Sequence, residues 1–215
     1  MAGALRPEGG ADLRAGPVRP ALGGGGASGS GMSVSFIDAI YIGNWVTVHQ
    51  SSSGTTYIKA SYSTNKPESG GNTCWYGNEY PSASGIAYGN GYCVVGGYQA
   101  NSGTYSGIIA YNAANGNGAW TKKTIWSGSG DGIQAITFAD GYFVAVGKQG
   151  KNTVIAYATD PTGTWTIKTI NPMSNIHDIQ NYENTFVICG STSVSGINNA
   201  EIVYSDEIET LGTTQ

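Results

Sequence analysis

Four tyrosines at nearly equal spacing constrain the chain more than any other feature. Tyr62, Tyr111, Tyr157 and Tyr204 close the segments "KASYS", "IIAYN", "VIAYA" and "EIVYS", at separations of 49, 46 and 47 residues. Upstream of each lies another short segment bounded by turn residues: "NWVTVHQ" (44–50), "GYCVVGG" (91–97), "GYFVAVG" (141–147) and "NTFVICG" (184–190). A Trp-Thr segment follows the second and third tyrosines, placing Trp120 and Trp165 45 residues apart, and Trp75 is expected to play the same part in unit one, after an insertion. Self-similarity at such a period means one supersecondary unit stacked repeatedly, because a single unit cannot bury its own apolar faces.

Each unit reads as four short strands, of which "IQAITFA", "YFVAVGK", "TVIAYAT" and "TWTIKTI" are the clearest set. The second and third are continuously apolar where a half-exposed strand would alternate, so both of their faces are buried. No 3.6-residue period accompanies them. With 34 glycines, 14 tyrosines and only 11% charged residues, the composition favours short strands joined by tight turns. The predicted fold is all-β, a β-propeller of about four four-stranded blades with a repeat of about 47 residues. The last unit has no Trp-containing fourth strand after "EIVYSDEIETLGTTQ". The segment "SVSF" just after Met32 is expected to supply it and so close the ring at the N-terminal strand. A two-chain ring or a fragment of a larger propeller is the alternative, since an open edge invites pairing with another copy.

Charge divides the chain. All three arginines, Arg6, Arg14 and Arg19, lie in the first 19 residues, and all seven lysines come at Lys59 or later. The opening stretch has almost no large apolar residues and ends in "GGGGASGSG", so residues 1–31 are expected to be a flexible tag, linker or tail, and residues 32–215 the propeller domain. The tail lacks the apolar core of a secretory signal, and no segment reaches the roughly 18 apolar residues of a membrane span. A product made soluble in the cytoplasm is expected. A net charge of −4 gives no basic footprint for nucleic acid or an anionic membrane.

The turn "YATDPTGTWT" (157–166) resembles the Asp-box of BNR-repeat, sialidase-like propellers. Asp160, Gly163 and Trp165 stand at or near that motif's positions, with the glycine displaced by one and Ala158 where serine is usual. Unit two has "YNAANGNGAW", with Asn for Asp and Trp120 kept, and unit four has "YSDE" with no Trp. The resemblance implies a structural role: the Asp accepts backbone N–H bonds inside the turn while the Trp packs between blades. Similar repeats are those of bacteriophage tail and bacterial surface proteins, which implies a virion or extracellular surface location. In the sialidases, catalysis rests on an arginine cluster gripping the substrate carboxylate, a geometry lysine does not reproduce. No arginine follows residue 19, so sialidase activity is not expected.

Other chemistries find little footing. His49 and His177 have no HxH or HExxH partner, and repeat alignment puts His49 in the slot of Val146, a partly buried strand position. Neither a metal site nor a cofactor is expected. Cys93 falls on the Phe143 position, Cys189 on the Val146 position and Cys74 beside Trp75, an odd count that reads as free thiols. The glycine-rich stretches lack the Gly-Lys-Ser/Thr ending of a phosphate loop and read as turns. Paired carboxylates would suit glycoside cleavage, yet only 12 acidic residues follow Met32, and Asp131, Asp140, Asp160 and Asp206 sit at predicted turns.

Binding leaves more to work with. The insertion "NKPESGGNTCWYGNEYPSAS" (65–84) and the loop "YQANSGTYSG" (98–107) depart from the repeat and mix Tyr or Trp with Asn, Ser and Gly. That mixture supplies rigid aromatic area together with adaptable hydrogen bonding. Trp75, Tyr76, Tyr80, Tyr98 and Tyr105 are the candidate contact residues for a glycan or a protein, against the plainer reading of Trp75 as a blade-packing residue. The sequence thus points to a non-catalytic binding or assembly module, not an enzyme, in a phage virion, bacterial surface structure or homo-oligomer. Two readings stay open beside it. A glycoside hydrolase or lyase would show two carboxylates roughly 5 to 10 Å apart in a pocket, one with a raised pKa. A purely structural scaffold would show a flat self-complementary interface.

Overall fold

The computed structural model describes residues 33–53, 55–66, 71–77, 81–113, 115–128, 132–170 and 172–211, so the predicted tail and Tyr80 lie outside the described residues. Four antiparallel sheets follow one another along the chain. The first holds β1 (Ser33–Tyr41), β2 (Trp45–Ser53), β3 (Thr55–Ser63) and β4 (Asn72–Gly77). The second holds β5 (Ser82–Gly89), β6 (Tyr92–Asn101), β7 (Thr104–Asn112) and β8 (Thr121–Gly128). The third holds β9 (Gly132–Ala139), β10 (Tyr142–Gln149), β11 (Asn152–Ala158) and β12 (Thr166–Ile170), and the fourth β13 (Asn175–Tyr182), β14 (Thr185–Val194) and β15 (Ile197–Ser205). Within each sheet, every strand pairs with the next in the chain, in several places through a two-residue turn. Asn90 and Gly91, like Asp140 and Gly141, both take positive φ, the type I′ geometry whose twist matches that of the flanking strands.

The sheets stack face to face in a propeller-like arrangement, which explains the continuously apolar strands. One core joins Val46, Val48, Ile58 and Trp75 of the first sheet to Ile86, Cys93, Val95 and Ile108 of the second. Another joins Val94, Ile109 and Trp126 of the second to Phe143, Val154 and Trp165 of the third. A third joins Val144, Val146 and Ile155 of the third sheet to Ile179, Phe186 and Ile188 of the fourth. The first strands β1, β5, β9 and β13 pack successively against one another, and the side of the stack that they form is called axial below. All four ruler tyrosines hold one register, opposite Val46, Val94, Val144 and Val187.

Three expectations need correction. The segment "SVSF" does not complete the fourth sheet: Ser33 to Phe36 continue β1 and pair with Ser52 to His49 of β2. The neighbouring strand is nine residues long and offers these residues a local partner, whereas reaching the far sheet would require closing a long loop. Among the described residues, the fourth sheet has three strands and no strand joins it to the first. Trp75 matches Trp126 and not Trp120: Trp75 faces Ile58 beside a bulge in β4 as Trp126 faces Gly107 beside a bulge in β8. His49 occupies the slot of Gly147, one residue on from Val146. The first hairpin turn spans three residues, Ile42 to Asn44, where Asp140 and Gly141 suffice in the third sheet, and that extra residue shifts the alignment.

Candidate functional site

All four axial strands break register at the same place. Ile37, Ser84, Gln134 and His177 are bulged out of the pairing, between Phe36 and Asp38, Ala83 and Gly85, Ile133 and Ala135, and Ile176 and Asp178. A bulge bends a strand and re-aims the side chains around it. The residues just past the four bulges are Asp38, Gly85, Ala135 and Asp178, so the repeat places two carboxylates in equivalent positions on the first and fourth sheets.

Their surroundings differ. Asp38 Oδ1 accepts the N–H of Ala39 at 2.8 Å, and Oδ2 accepts the N–H of Ile86 at 3.1 Å, across the boundary to the second sheet. Gly85 makes room, since a Cβ there would stand 3.2 Å from Asp38 Oδ2. Burial raises the Asp38 carboxyl above its ordinary 3.8, the two backbone N–H groups pull it back, and the charge of Asp178 adds a smaller upward push. Asp178 Oδ1 accepts the N–H of Ile179 at 2.8 Å and Oδ2 the side-chain amide of Gln180 at 3.1 Å. Nearby on the same bulge line, Gln134 Oε1 is buried without a hydrogen-bond partner, and His177 is exposed. The arrangement sets a half-buried carboxyl, raised by burial, near a second acidic side chain in the equivalent position.

A cleft of about 370 Å³ opens elsewhere, between turns of the third and fourth sheets, and is lined among others by Asp140, Tyr142, Phe186, Asp206 and Glu209. Asp38 and Asp178 do not line it. Its carboxylates sit on exposed turns, with Asp140 accepting from Asn181 at 3.3 Å and Asp206 from Thr185 at 2.7 Å. Burial raises Asp38, whereas the carboxylate side chains that line this cleft are exposed.

The residues singled out in the sequence are scattered. Trp75 is 2% exposed and lies in the core between the first and second sheets, so its ring is not presented to solvent. Tyr76, the next residue on the strand, points the other way, 62% exposed, with its ring 5.7 Å from that of Tyr57. Gln99 of β6 donates to the Tyr76 carbonyl at 3.1 Å and accepts from Lys122 at 3.1 Å. Tyr98 and Tyr105 form a second pair, half-buried, with ring centroids 6.0 Å apart.

At the turn after β11, Asp160 Oδ1 accepts the Thr162 N–H at 2.8 Å and the Gly163 N–H reaches the Asp160 carbonyl at 3.1 Å. Bonds from Thr162 hold the Asp160 carboxyl below its ordinary value. Trp165 is buried between the second and third sheets and donates to the Pro161 carbonyl at 3.3 Å, while Trp120 packs half-buried against the core between the first and second. In unit two the turn is held by Asn112, which accepts from the Gly116 N–H at 3.0 Å and donates to the Ala119 carbonyl at 2.7 Å. His49 is 1% exposed. Burial, then the charge of Lys59, lowers its pKa below 6.5.

Sequence reasoning missed Asp38 and Asp178. The tyrosine ruler aligns second and third strands and does not reach the first. Aligning "FIDAIY" with "IHDIQN" would have set the two aspartates in one column.

No protein-family model matches the chain, and no curated protein does. Among solved structures the chain is similar to the GH43 BlXynB protein from Bacillus licheniformis, at 10% identity and a TM-score of 0.46, over 81% of this chain and 39% of that one. It is also similar to a bifunctional GH43-CE protein from Bacteroides eggerthii, at 12% identity and a TM-score of 0.44, over 81% of this chain and 26% of that one. The chain therefore spans 39% and 26% of the lengths of these structures. Against the expectation that the chain is not an enzyme stand these two structures, both of which carry the designation GH43.

Proposed function

We propose that the four sheets act as blades of one propeller and that the domain cleaves glycosides at its axis, with Asp38 as the acid and Asp178 as the second carboxylate. One observation supports the reading above others: two carboxylates occupy equivalent positions past matching bulges, and burial together with the neighbouring charge raises Asp38. Glycoside cleavage needs a carboxyl that stays protonated towards neutral pH and a second that stays available as a base or nucleophile. In the hydrolytic sequence the Asp38 proton passes to the glycosidic oxygen as its bond to the anomeric carbon breaks. Water adds to that carbon, and Asp178 takes the proton the water gives up. There is no arginine among the described residues, which disfavours anionic substrates and leaves neutral sugars. The test is turnover of a panel of nitrophenyl pentosides, nitrophenyl hexosides and neutral oligosaccharides. Release of sugar by the wild type and none by Asp178→Asn is the expected result, and no turnover of any member sinks the reading.

A second reading, compatible with the first, rests on Tyr76. An exposed tyrosine beside Tyr57, with Gln99 and Lys122 adjoining, offers a stacking ring and polar neighbours of the kind that hold a sugar ring. On a phage virion or bacterial surface, where the repeat resemblance would put such a chain, this patch would serve glycan contact. Glycan-array binding that survives Asp38→Asn and disappears in Tyr76→Ala would favour it, and binding unaffected by Tyr76→Ala would remove it.

A further inference from the structure

The third strands of the first three sheets, β3, β7 and β11, each carry a fourth strand along their outer side; β15, their equivalent, carries none among the described residues. Among the described residues its outer row of N–H and C=O groups therefore has no strand partner over nine residues. Natural sheets guard such edges with lysine, proline or a cover. Of the three outer strands, β8 and β12 follow that rule with Lys122, Lys123 and Lys168, and β4, "NTCWYG", does not. β15 reads "INNAEIVYS", with no lysine and no proline. Its single charge, Glu201, is turned back onto β14, where the carboxylate accepts the Thr192 hydroxyl at 2.7 Å. Residues 197 to 200 are exposed, and Ile202 and Tyr204 are 65% and 71% exposed.

We propose that β15 pairs antiparallel with β15 of a second copy of this chain about a two-fold axis, so that each copy supplies the other's missing fourth strand. The continuity of the sheet pattern argues for a strand as occupant, since that place is filled by a strand in the three other sheets. Self-pairing suits this strand in particular. A two-fold contact sets one surface against itself, and an antiparallel strand pair satisfies that with main-chain bonds alone. The register that overlaps all nine residues is centred on Glu201 and sets like charges opposite each other, so the pair is centred off it, on Ile202 for instance, which sets Glu201 opposite Val203. The two-fold axis runs perpendicular to the sheet, so Ile202 and Tyr204 of both copies come to lie on one face of a six-stranded sheet. The contact lies at the rim, away from Asp38 and Asp178, and does not depend on the chemistry proposed for them.

The experiment is mass in solution by light scattering across a wide range of concentrations, combined with amide hydrogen exchange of the full chain. We expect twice the chain mass at high concentration, and β15 amides that exchange at least about tenfold faster on dilution while those of β11 do not change, in keeping with loss of a strand partner. A chain that is monomeric throughout overturns the proposal. So does a dimer whose β15 exchange ignores dilution, which would mean that another segment covers the edge or that the copies meet elsewhere. As a second arm, Asn199→Pro and Ala200→Pro exploit the alternation of N–H groups along a strand: one of the two residues donates into the β14 ladder and the other points outward. The variant that keeps the wild-type melting temperature is expected to run at one chain mass. Dimerisation of that variant contradicts the proposal.

Discussion

The Asp38 carboxylate accepts the backbone N–H of Ile86 at 3.1 Å and so fastens the first sheet to the second beside the axis. Its other oxygen takes the N–H of Ala39. Truncation leaves two donors without their acceptor, and Asp38→Ala is predicted to cost about 1–3 kcal/mol in urea unfolding. Asp38→Asn keeps an oxygen acceptor and is predicted to lose less. Equal losses in the two variants would show that the acceptor is not what holds the sheets.

Gly97, Gly147 and Gly190 share one register, and a Cβ on each would run into the carbonyl oxygen of Ser82, Gly132 and Asn175 respectively. Backbone atoms cannot swing aside as a flexible side chain can. Gly147→Ala is therefore predicted to destabilise by about 1–3 kcal/mol or more, the cost of overpacking a dense interior. A melting temperature unchanged by the substitution would show that the bulge relaxes freely.

His49 stands in that same glycine slot and links stability to pH. Its folded pKa lies below 6.5, because of burial and then Lys59, so the unfolded chain binds the proton first as the pH falls. Stability is then lost below about pH 6.5 and levels off once the folded His49 is itself protonated. Asp38 acts in the opposite sense: raised above 3.8, its contribution is complete at low pH and is lost as the pH rises through its folded value. Between pH 7 and pH 5 the urea midpoint of the wild type is predicted to fall more than that of His49→Gln. Parallel curves would contradict this.

The three cysteines are free thiols. Burial pushes Cys93 up to about 12 and Cys74 higher still, which leaves almost no thiolate at either in neutral solution. Cys189 is only half-buried. A disulfide reagent at pH 8 is predicted to label one thiol quickly and two only on unfolding, and Cys189→Ser to remove the fast phase. A fast phase that survives Cys189→Ser would mean that the core around Cys93 opens readily.

Much of the fold was legible because the repeat is written in residues that packing demands. Tyr62, Tyr111, Tyr157 and Tyr204 mark third strands, and the apolar runs of β10 and β11 announced sheets covered on both faces. Legibility ends where the chain changes length between landmarks. One extra turn residue before Trp45 moved His49 by a place, and the insertion before Trp75 hid its likeness to Trp126. Ring closure was beyond reach for another reason: "SVSF" suits any antiparallel neighbour, and a nearby partner outcompetes a distant one. The axial carboxylates stayed hidden because bulges disturb the alternation by which strands are read, and because no single strand reveals that Asp38 and Asp178 share a column.

The most direct measurement compares kcat/KM of wild type and Asp38→Asn on two substrates with one sugar and different leaving groups, one a nitrophenol and one a poor aliphatic alcohol. An acid that protonates the departing oxygen matters most when the departing group is basic. The account predicts a loss of about 10²–10⁴-fold on the alcohol glycoside, a much smaller loss on the nitrophenyl glycoside, and loss on both for Asp178→Asn. Equal activity of wild type and Asp38→Asn on the alcohol glycoside, or no cleavage of either substrate by the wild type, would contradict it.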